Sequence, residues 1–167
     1  MNLRPANLKD RSDIERMYRD GSNYLKEQKV DQWQGEQRPN LKDFETWIQR
    51  KEIFVLEEEQ PIATCLLMEE EPDYKNIYQG QWLSSGKNCY IIHRVALLAS
   101  QRKKGYGLKL LQEIEKLAKR GEKESLRVDT HEDNIPMQSL LTKAGYQYCG
   151  IIYLEIEGKR LAYEKKL

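Results

Sequence analysis

The chain has 167 residues, with 28 Lys and Arg against 27 Asp and Glu and a net charge of +1. That length fits one domain, 1–167, and the balanced charge lacks the cation excess with which nucleic-acid binders displace counterions. No apolar run approaches the roughly 18 residues of a membrane span, and Met1 to Asp10 carries charges and Pro5 where a secretion signal needs apolar residues. We therefore expect a cytoplasmic protein with no nucleic-acid or membrane partner.

Asn2 to Arg4 is predicted as a short strand. Ile14, Met17 and Tyr18 follow at helical spacing, with Ser12 to Glu15 as a capping box and Gly21 as the stop. Ser22 to Pro39 reads as irregular and contains Trp33. A second helix follows Asn40, with Leu41, Phe44 and Ile48 on one face. The apolar runs Ile53 to Leu56 and Ile62 to Met68, separated by a polar turn, read as a hairpin. Glu70 to Gly86 is a long insertion, and loops of that length in compact domains are often functional. Cys89 to Leu98 is an apolar strand interrupted by His93 and Arg94. Leu108, Leu111, Ile114, Leu117 and Ala118 form the apolar stripe of a long helix. A strand over Ser125 to Asp129 precedes a helix over Ile135 to Ala144, entered at Asn134 and left at Gly145. Strands over Tyr148 to Leu154 and Arg160 to Lys165 end the chain. Cys65, Cys89 and Cys149 are widely spaced without a C-x-x-C pair, which reads as reduced thiols rather than a disulfide frame or zinc site.

The segment Arg102-Lys103-Lys104-Gly105-Tyr106-Gly107-Leu108 carries the clearest chemistry. A strand ends, a basic turn follows and a helix begins. A helix N-terminus offers unpaired N–H groups and partial positive charge, which suits phosphate. Gly105 and Gly107 have no Cβ and let a bulky anion approach the backbone. The third glycine of a dinucleotide fingerprint is absent, since Leu110 stands there, and so is the Gly-Lys-Ser/Thr of a Walker loop.

Arg102 to Gly107 is similar to the (Gln/Arg)-x-x-Gly-x-(Gly/Ala) motif of the GNAT superfamily of acyl-CoA-dependent N-acetyltransferases. The order of elements around it resembles that family as well. An apolar strand precedes the motif, and an amphipathic helix, a short strand, Asn134, a helix and Lys143-Ala144-Gly145-Tyr146 follow. The resemblance implies a single-domain α/β fold, with a mixed, mostly antiparallel sheet flanked by about four helices. It implies acetyl-CoA as co-substrate, with no metal. By the same resemblance, free backbone groups of Val95, Ala96 and Leu97 pair with the pantetheine arm, and the Val95 N–H polarises the thioester carbonyl. The amides of Arg102, Lys103, Lys104, Gly105, Tyr106, Gly107 and Leu108 take the pyrophosphate. Asn134 matches a residue that contacts the cofactor arm, and Lys143 a position that reaches a nucleotide phosphate.

The implied reaction is attack of a small-molecule primary amine on the thioester; a peptide amine, or acyl-CoA binding without turnover, are the alternatives. The chemistry needs a base, an oxyanion donor and an acid for the thiolate. Leu141 stands where many relatives place a tyrosine acid, so Tyr148 and Cys149 are candidate donors, with Tyr106 and Tyr153. His93 is the candidate base. Strand alternation puts it on one face with Val95 and Leu97, and an imidazole titrating near pH 6.5 would give an acidic limb near pH 6–7. His131, beside Asp129 and Asp133, reads as a pocket residue or a surface turn, and the spacing fits no metal-ligand pattern. Trp33, Tyr74 and Trp82 are candidate acceptor-pocket residues, with Tyr78; core packing or a homodimer contact would use them equally well. Glu69, Glu70, Glu71 and Asp73 favour a cationic amine such as a polyamine or aminoglycoside.

Overall fold

A computed structural model describes residues 1–167. Seven strands form one sheet in the order β1-β2-β3-β4-β5-β7-β6. They are β1 (Asn2–Pro5), β2 (Ile53–Glu57), β3 (Pro61–Met68), β4 (Cys89–Leu97), β5 (Ser125–Thr130), β6 (Gln147–Leu154) and β7 (Gly158–Lys166). Every neighbouring pair is antiparallel except β4 and β5. Parallel neighbours need a crossover connection, and α3 (Tyr106–Arg120) supplies it. The other helices are α1 (Arg11–Glu27), α2 (Phe44–Gln49) and α4 (Ile135–Lys143). This is the expected α/β architecture.

Two apolar layers sandwich the sheet. On one face Leu110, Leu111, Ile114 and Ala118 of α3 pack with Leu141 of α4 on Ile92, Leu126 and Val128. On the other, Ile14, Met17 and Leu25 of α1 pack with Phe44 and Trp47 on Ile53, Val55 and Leu66. The insertion covers the rest of that second face, with Tyr74 buried beside Cys89, Ile91 and Ile152.

Two local expectations differ from the structure. Gly21 does not stop α1, which runs on to Glu27. The ring of Trp33 lies against it, and a Cβ there would sit 2.7 Å from Trp33 Cζ3, so the glycine makes room for an aromatic ring. The capping box is formed by Asn7 and Asp10 at a preceding 3-10 turn, not by Ser12 and Glu15. Asp10 is preferred because it also accepts two hydrogen bonds from Arg4, at 2.8 and 2.9 Å.

The strand β4 carries an irregularity with large consequences. Leu66 faces His93, yet Thr64 faces Ala96, so β4 holds one more residue than β3 over that stretch. Arg94 sits in the left-handed region, with φ +52°. Such a bulge bends the strand and resets its alternation. Cys89, Ile91 and His93 share the face of the insertion, and Arg94 joins them, lying 4.9 Å over the Trp47 ring. Val95 and Leu97 pack instead on the α3 face. The expectation that His93, Val95 and Leu97 share a face is therefore overturned, because it assumed an unbroken pleat.

The insertion is tied down at several points. Tyr78 and Ile151 exchange backbone hydrogen bonds, each 2.8 Å. Glu164, fully buried, accepts from Leu83 N at 2.6 Å and from Arg127 Nε at 3.2 Å. Trp82 covers the Arg127 guanidinium at 4.2 Å. Burial opposes ionisation of Glu164, but bonds from Ser84 and Ser125 and the charge of Arg127 hold its pKa below the usual carboxylate value. Its stabilising contribution is thus present above the unfolded-state pKa and is lost as pH falls through the lower folded one. Replacing Glu164 by Ala leaves Arg127 buried without a counter-charge, which costs about 3–5 kcal/mol. Urea unfolding of Glu164→Ala at pH 7 checks this, and a loss under about 1 kcal/mol would show that the pair does not anchor the insertion.

Candidate active site

The hydrogen-bonded ladder between β4 and β5 runs only from the Cys89–Ser125 pair to the Ile92–Val128 pair. Beyond it the strands part, and His93 to Leu97 have no strand neighbour on that side. A cleft of about 760 Å³ opens at this fork. It reaches from the start of α3 and α4, past the free edge of β4, to α1 and the turn between β6 and β7.

The α3 end of the cleft is built for an anion. Lys103 and Gly105 take left-handed conformations, with φ +60° and +84°. The turn between them aims successive N–H groups outward, a backbone nest. The first intrahelical bond is donated by Lys109 N to Gly105 O, at 3.0 Å. The amides of Lys103 to Leu108 therefore have no backbone acceptor. A Cβ on Gly107 would lie 3.1 Å from Leu140 Cδ2, so glycine lets the start of α3 pack closely on α4.

Arg102 behaves differently from expectation. Its amide donates to Ala99 O at 3.3 Å, and its guanidinium donates to Asp20 O at 2.5 Å and stacks over Tyr24 at 4.5 Å. It locks α1 to the turn, and the available amides begin at Lys103. The Lys104 side chain turns to Gln101, and the Tyr106 hydroxyl donates to Glu58 at 3.3 Å; neither side chain lines the cleft. Lys143 does line it. Asn134 also lines it but is already bonded: its Oδ1 caps Met137 N at 3.2 Å, and its Nδ2 donates to Gln32 Oε1 at 3.0 Å. That second bond ties the α1–α2 connection to the start of α4.

The opposite end of the cleft is acidic. Glu71, Asp129, Glu155 and Glu157 line it, from the insertion, β5 and the β6–β7 turn. Burial pushes the pKa values of Asp129 and Glu157 up. His93 stands at the fork beside them. Its Nε2 is buried without a hydrogen-bond partner, 3.5 Å from Glu71 Oε2. Burial lowers the imidazole to about 4; Glu71 and Asp73 pull it up and Arg94 pushes it down, and burial prevails. His93 is neutral at pH 7, and the acidic limb expected near pH 6–7 moves down with it.

Of the acceptor-pocket candidates, only Trp33 lines the cleft. Tyr74 and Trp82 lie behind its wall, stacked with ring centroids 5.5 Å apart. Tyr74 supports the site indirectly: its hydroxyl donates to Asp129 Oδ2 at 2.5 Å, and its ring meets His93 edge-on at 5.7 Å. Tyr78 is exposed and packs on Tyr153. Glu69 pairs with Lys123 at 2.7 Å, and Asp73 accepts from Glu155 N at 3.1 Å. His131 accepts from Asp133 N at 3.0 Å in a turn outside the cleft.

None of the four acid candidates, Tyr106, Tyr148, Cys149 and Tyr153, lines the cleft. Tyr148 is exposed and packs edge-on against Tyr163 at 5.7 Å. Cys149 is buried with its thiol on Gln147 O at 3.4 Å, and burial raises its pKa. Both belong to the edge strand β6, and neither lines the cleft. Leu141 is fully buried under α3, while its neighbour Leu140 faces the cleft. A hydroxyl that sequence reasoning missed does line the cleft: Thr130 is buried and its Oγ1 has no partner.

Comparison with known proteins gives a consistent picture. Residues 17–146 match the family model described as acetyltransferase (GNAT) family. A GNAT-family acetyltransferase from Streptococcus agalactiae is similar over 99% of this chain and 95% of its own, with 31% identity and a TM-score of 0.89. An acetyltransferase from Salmonella typhimurium, solved with its cofactor acetyl-CoA, shares the fold at 14% identity, with a TM-score of 0.71 over 100% of this chain and 94% of its own. An aminoglycoside acetyltransferase solved in complex with coenzyme A does so at 19% identity, with a TM-score of 0.71 over 99% and 94%. No curated protein matches the sequence.

The burial of His93 is directly measurable. Its imidazole should titrate at about 4 in the folded protein, against about 6.5 when unfolded. The unfolded state then binds the proton more readily, so stability falls as pH drops from 6.5 toward 4. Glu71→Gln should lower the value further, by removing the carboxylate that raises it. Imidazole NMR shifts over pH 3–8 check both; an inflection at the unfolded value would place His93 in water.

Proposed function

Because the chain belongs to the GNAT family of acetyltransferases, we propose that it binds acetyl-CoA in the forked cleft and transfers the acetyl group to the primary amine of a small molecule. The observation that carries this reading is the division of the cleft. Unpaired amides and Lys143 lie at one end, carboxylates at the other, and a neutral, unpartnered imidazole stands at the fork between them. An anionic donor and a cationic acceptor would enter such a cleft from opposite ends.

The residues divide the work as follows. The amides of Lys103 to Leu108 hold the pyrophosphate, and the open edge of β4 at Val95, Ala96 and Leu97 pairs with the pantetheine arm. The Val95 N–H faces the thioester oxygen, where charge develops as nitrogen attacks. Glu71 and Asp129 draw in the ammonium form. The ammonium gives its first proton to solvent water before attack. His93 takes the second, which nitrogen sheds as the carbon–nitrogen bond forms, directly or through one water, and Glu71 at 3.5 Å stabilises the imidazolium that results. The new bond joins the amine nitrogen to the acetyl carbon, and the carbon–sulfur bond breaks. A thiol of pKa near 8.5 can leave as thiolate, so the lack of an acid at Leu141 does not stop the reaction.

Release of free CoA thiol, measured across a panel of small primary amines, tests the reading. With the best amine, His93→Ala should lower kcat by about 10²–10⁴-fold while leaving acetyl-CoA affinity within a few-fold and the thermal midpoint intact. A near-normal rate in the folded variant would move the base elsewhere, and thiol release with peptides alone would overturn the small-molecule acceptor.

A further inference from the structure

A second cavity, of about 550 Å³, lies between the first half of α1 and residues 38–42. Its wall carries four cations, Arg11, Arg19, Arg38 and Lys42, against one carboxylate, Glu15. None of the four is held in an ion pair, whereas Arg4, Arg16, Arg127 and Arg160 each meet a carboxylate. Arg38 Nε donates to Ser22 Oγ at 3.1 Å, and Arg11 lies 5.3 Å over the Phe44 ring. Arg19 and Lys42 are uncommitted. Tyr18 lines the same cavity, is 2% exposed, and has a hydroxyl with no partner. Burial raises its pKa, so it remains a donor. Concentrated, unneutralised positive charge around a concave surface attracts an oxyanion, and guanidinium groups are suited to carboxylate and phosphate.

This cavity adjoins the acceptor end of the cleft. Pro39 lines both. Arg94 lines the cleft, donates to Asn40 O at 3.0 Å, and lies 6.0 Å over the Tyr18 ring. One guanidinium and one proline thus separate the two spaces. We propose that the second cavity is an oxyanion subsite of the acceptor site, receiving the carboxylate or phosphate at the far end of the molecule whose amine enters the cleft. The proposal rests on the amine-acetylation reading and sharpens it. The acceptor is an amine with an anionic tail, not a polycation: a polyamine or aminoglycoside would bring like charge to Arg19, Arg38 and Lys42.

Kinetics with matched acceptors test this. The ω-amino acids from glycine to 6-aminohexanoate are compared with diamines of the same length, and O-phosphoethanolamine distinguishes a phosphate tail from a carboxylate. At the length that spans the two spaces, kcat/KM should favour the anionic tail by roughly ten- to hundredfold, the size of a charge-assisted hydrogen bond. In the double variant Arg19→Gln, Lys42→Gln that preference should collapse, with the loss falling on KM. Diamines preferred by the wild type, or a preference that survives in the folded variant, would overturn the proposal. If no amine is acetylated, the reaction reading has failed, and calorimetry with succinate and inorganic phosphate decides the subsite alone. Binding weakened about tenfold or more in the variant upholds it; no binding, or equal binding, overturns it.

Discussion

The backbone of β4 beyond Ile92 has to find hydrogen-bond partners without β5. Buried N–H and C=O groups left unpaired are costly, so a strand that leaves its neighbour inside a sheet is stable only where something else meets that edge. Here the edge opens onto a cleft. The bulge at Arg94 acts at the same place. It turns Val95 and Leu97 toward α3 and leaves His93 on the opposite face, beside Glu71 and Tyr74. Parting and bulge together place the free backbone on one side of the fork and the imidazole on the other.

Electrostatics follow that division. The nest before α3 collects unpaired amides because Lys103 and Gly105 adopt left-handed conformations that aim them one way. The acidic end depends on the insertion, which brings Glu71 to the cleft and places Tyr74 behind Asp129. The insertion in turn is held by Glu164 and Arg127, a buried pair neither of whose members lines the cleft. Damage to that pair would reach the acceptor end without touching a residue that lines it.

Much of the frame was legible because it is local. The apolar run of β4, the basic glycine turn and the stripe of α3 each announce themselves within about 15 residues, a window in which periodicity is informative. Asn134 and Gly145 mark the ends of α4 in the same way. The remainder was hidden for physical reasons. Nothing about Arg94 signals a left-handed bulge, since that conformation is set by the mismatch between β3 and β4. Gly21 reads as a helix stop unless Trp33 is known to lie against it. Tyr74 and Trp82 read as lining residues of the acceptor pocket, but they sit one layer behind the cleft wall, where only the fold of the insertion puts them. Asp129 gave no clear signal, because Leu126 to Thr130 alternates apolar and polar residues and groups Asp129 with Arg127 on a polar face that only the insertion covers. Glu155 and Glu157 offered none, because only the fold brings the β6–β7 turn to the cleft.

The account stands on the fork, and amide hydrogen exchange reads it most directly. Exchange is followed residue by residue with and without acetyl-CoA. Slowing concentrated at Val95 to Leu97 and at Lys103 to Leu108, with the Cys89 to Ile92 amides unchanged, is the result the account predicts. Slowing spread evenly over the chain, or confined to surfaces away from the β4–β5 fork, would contradict it.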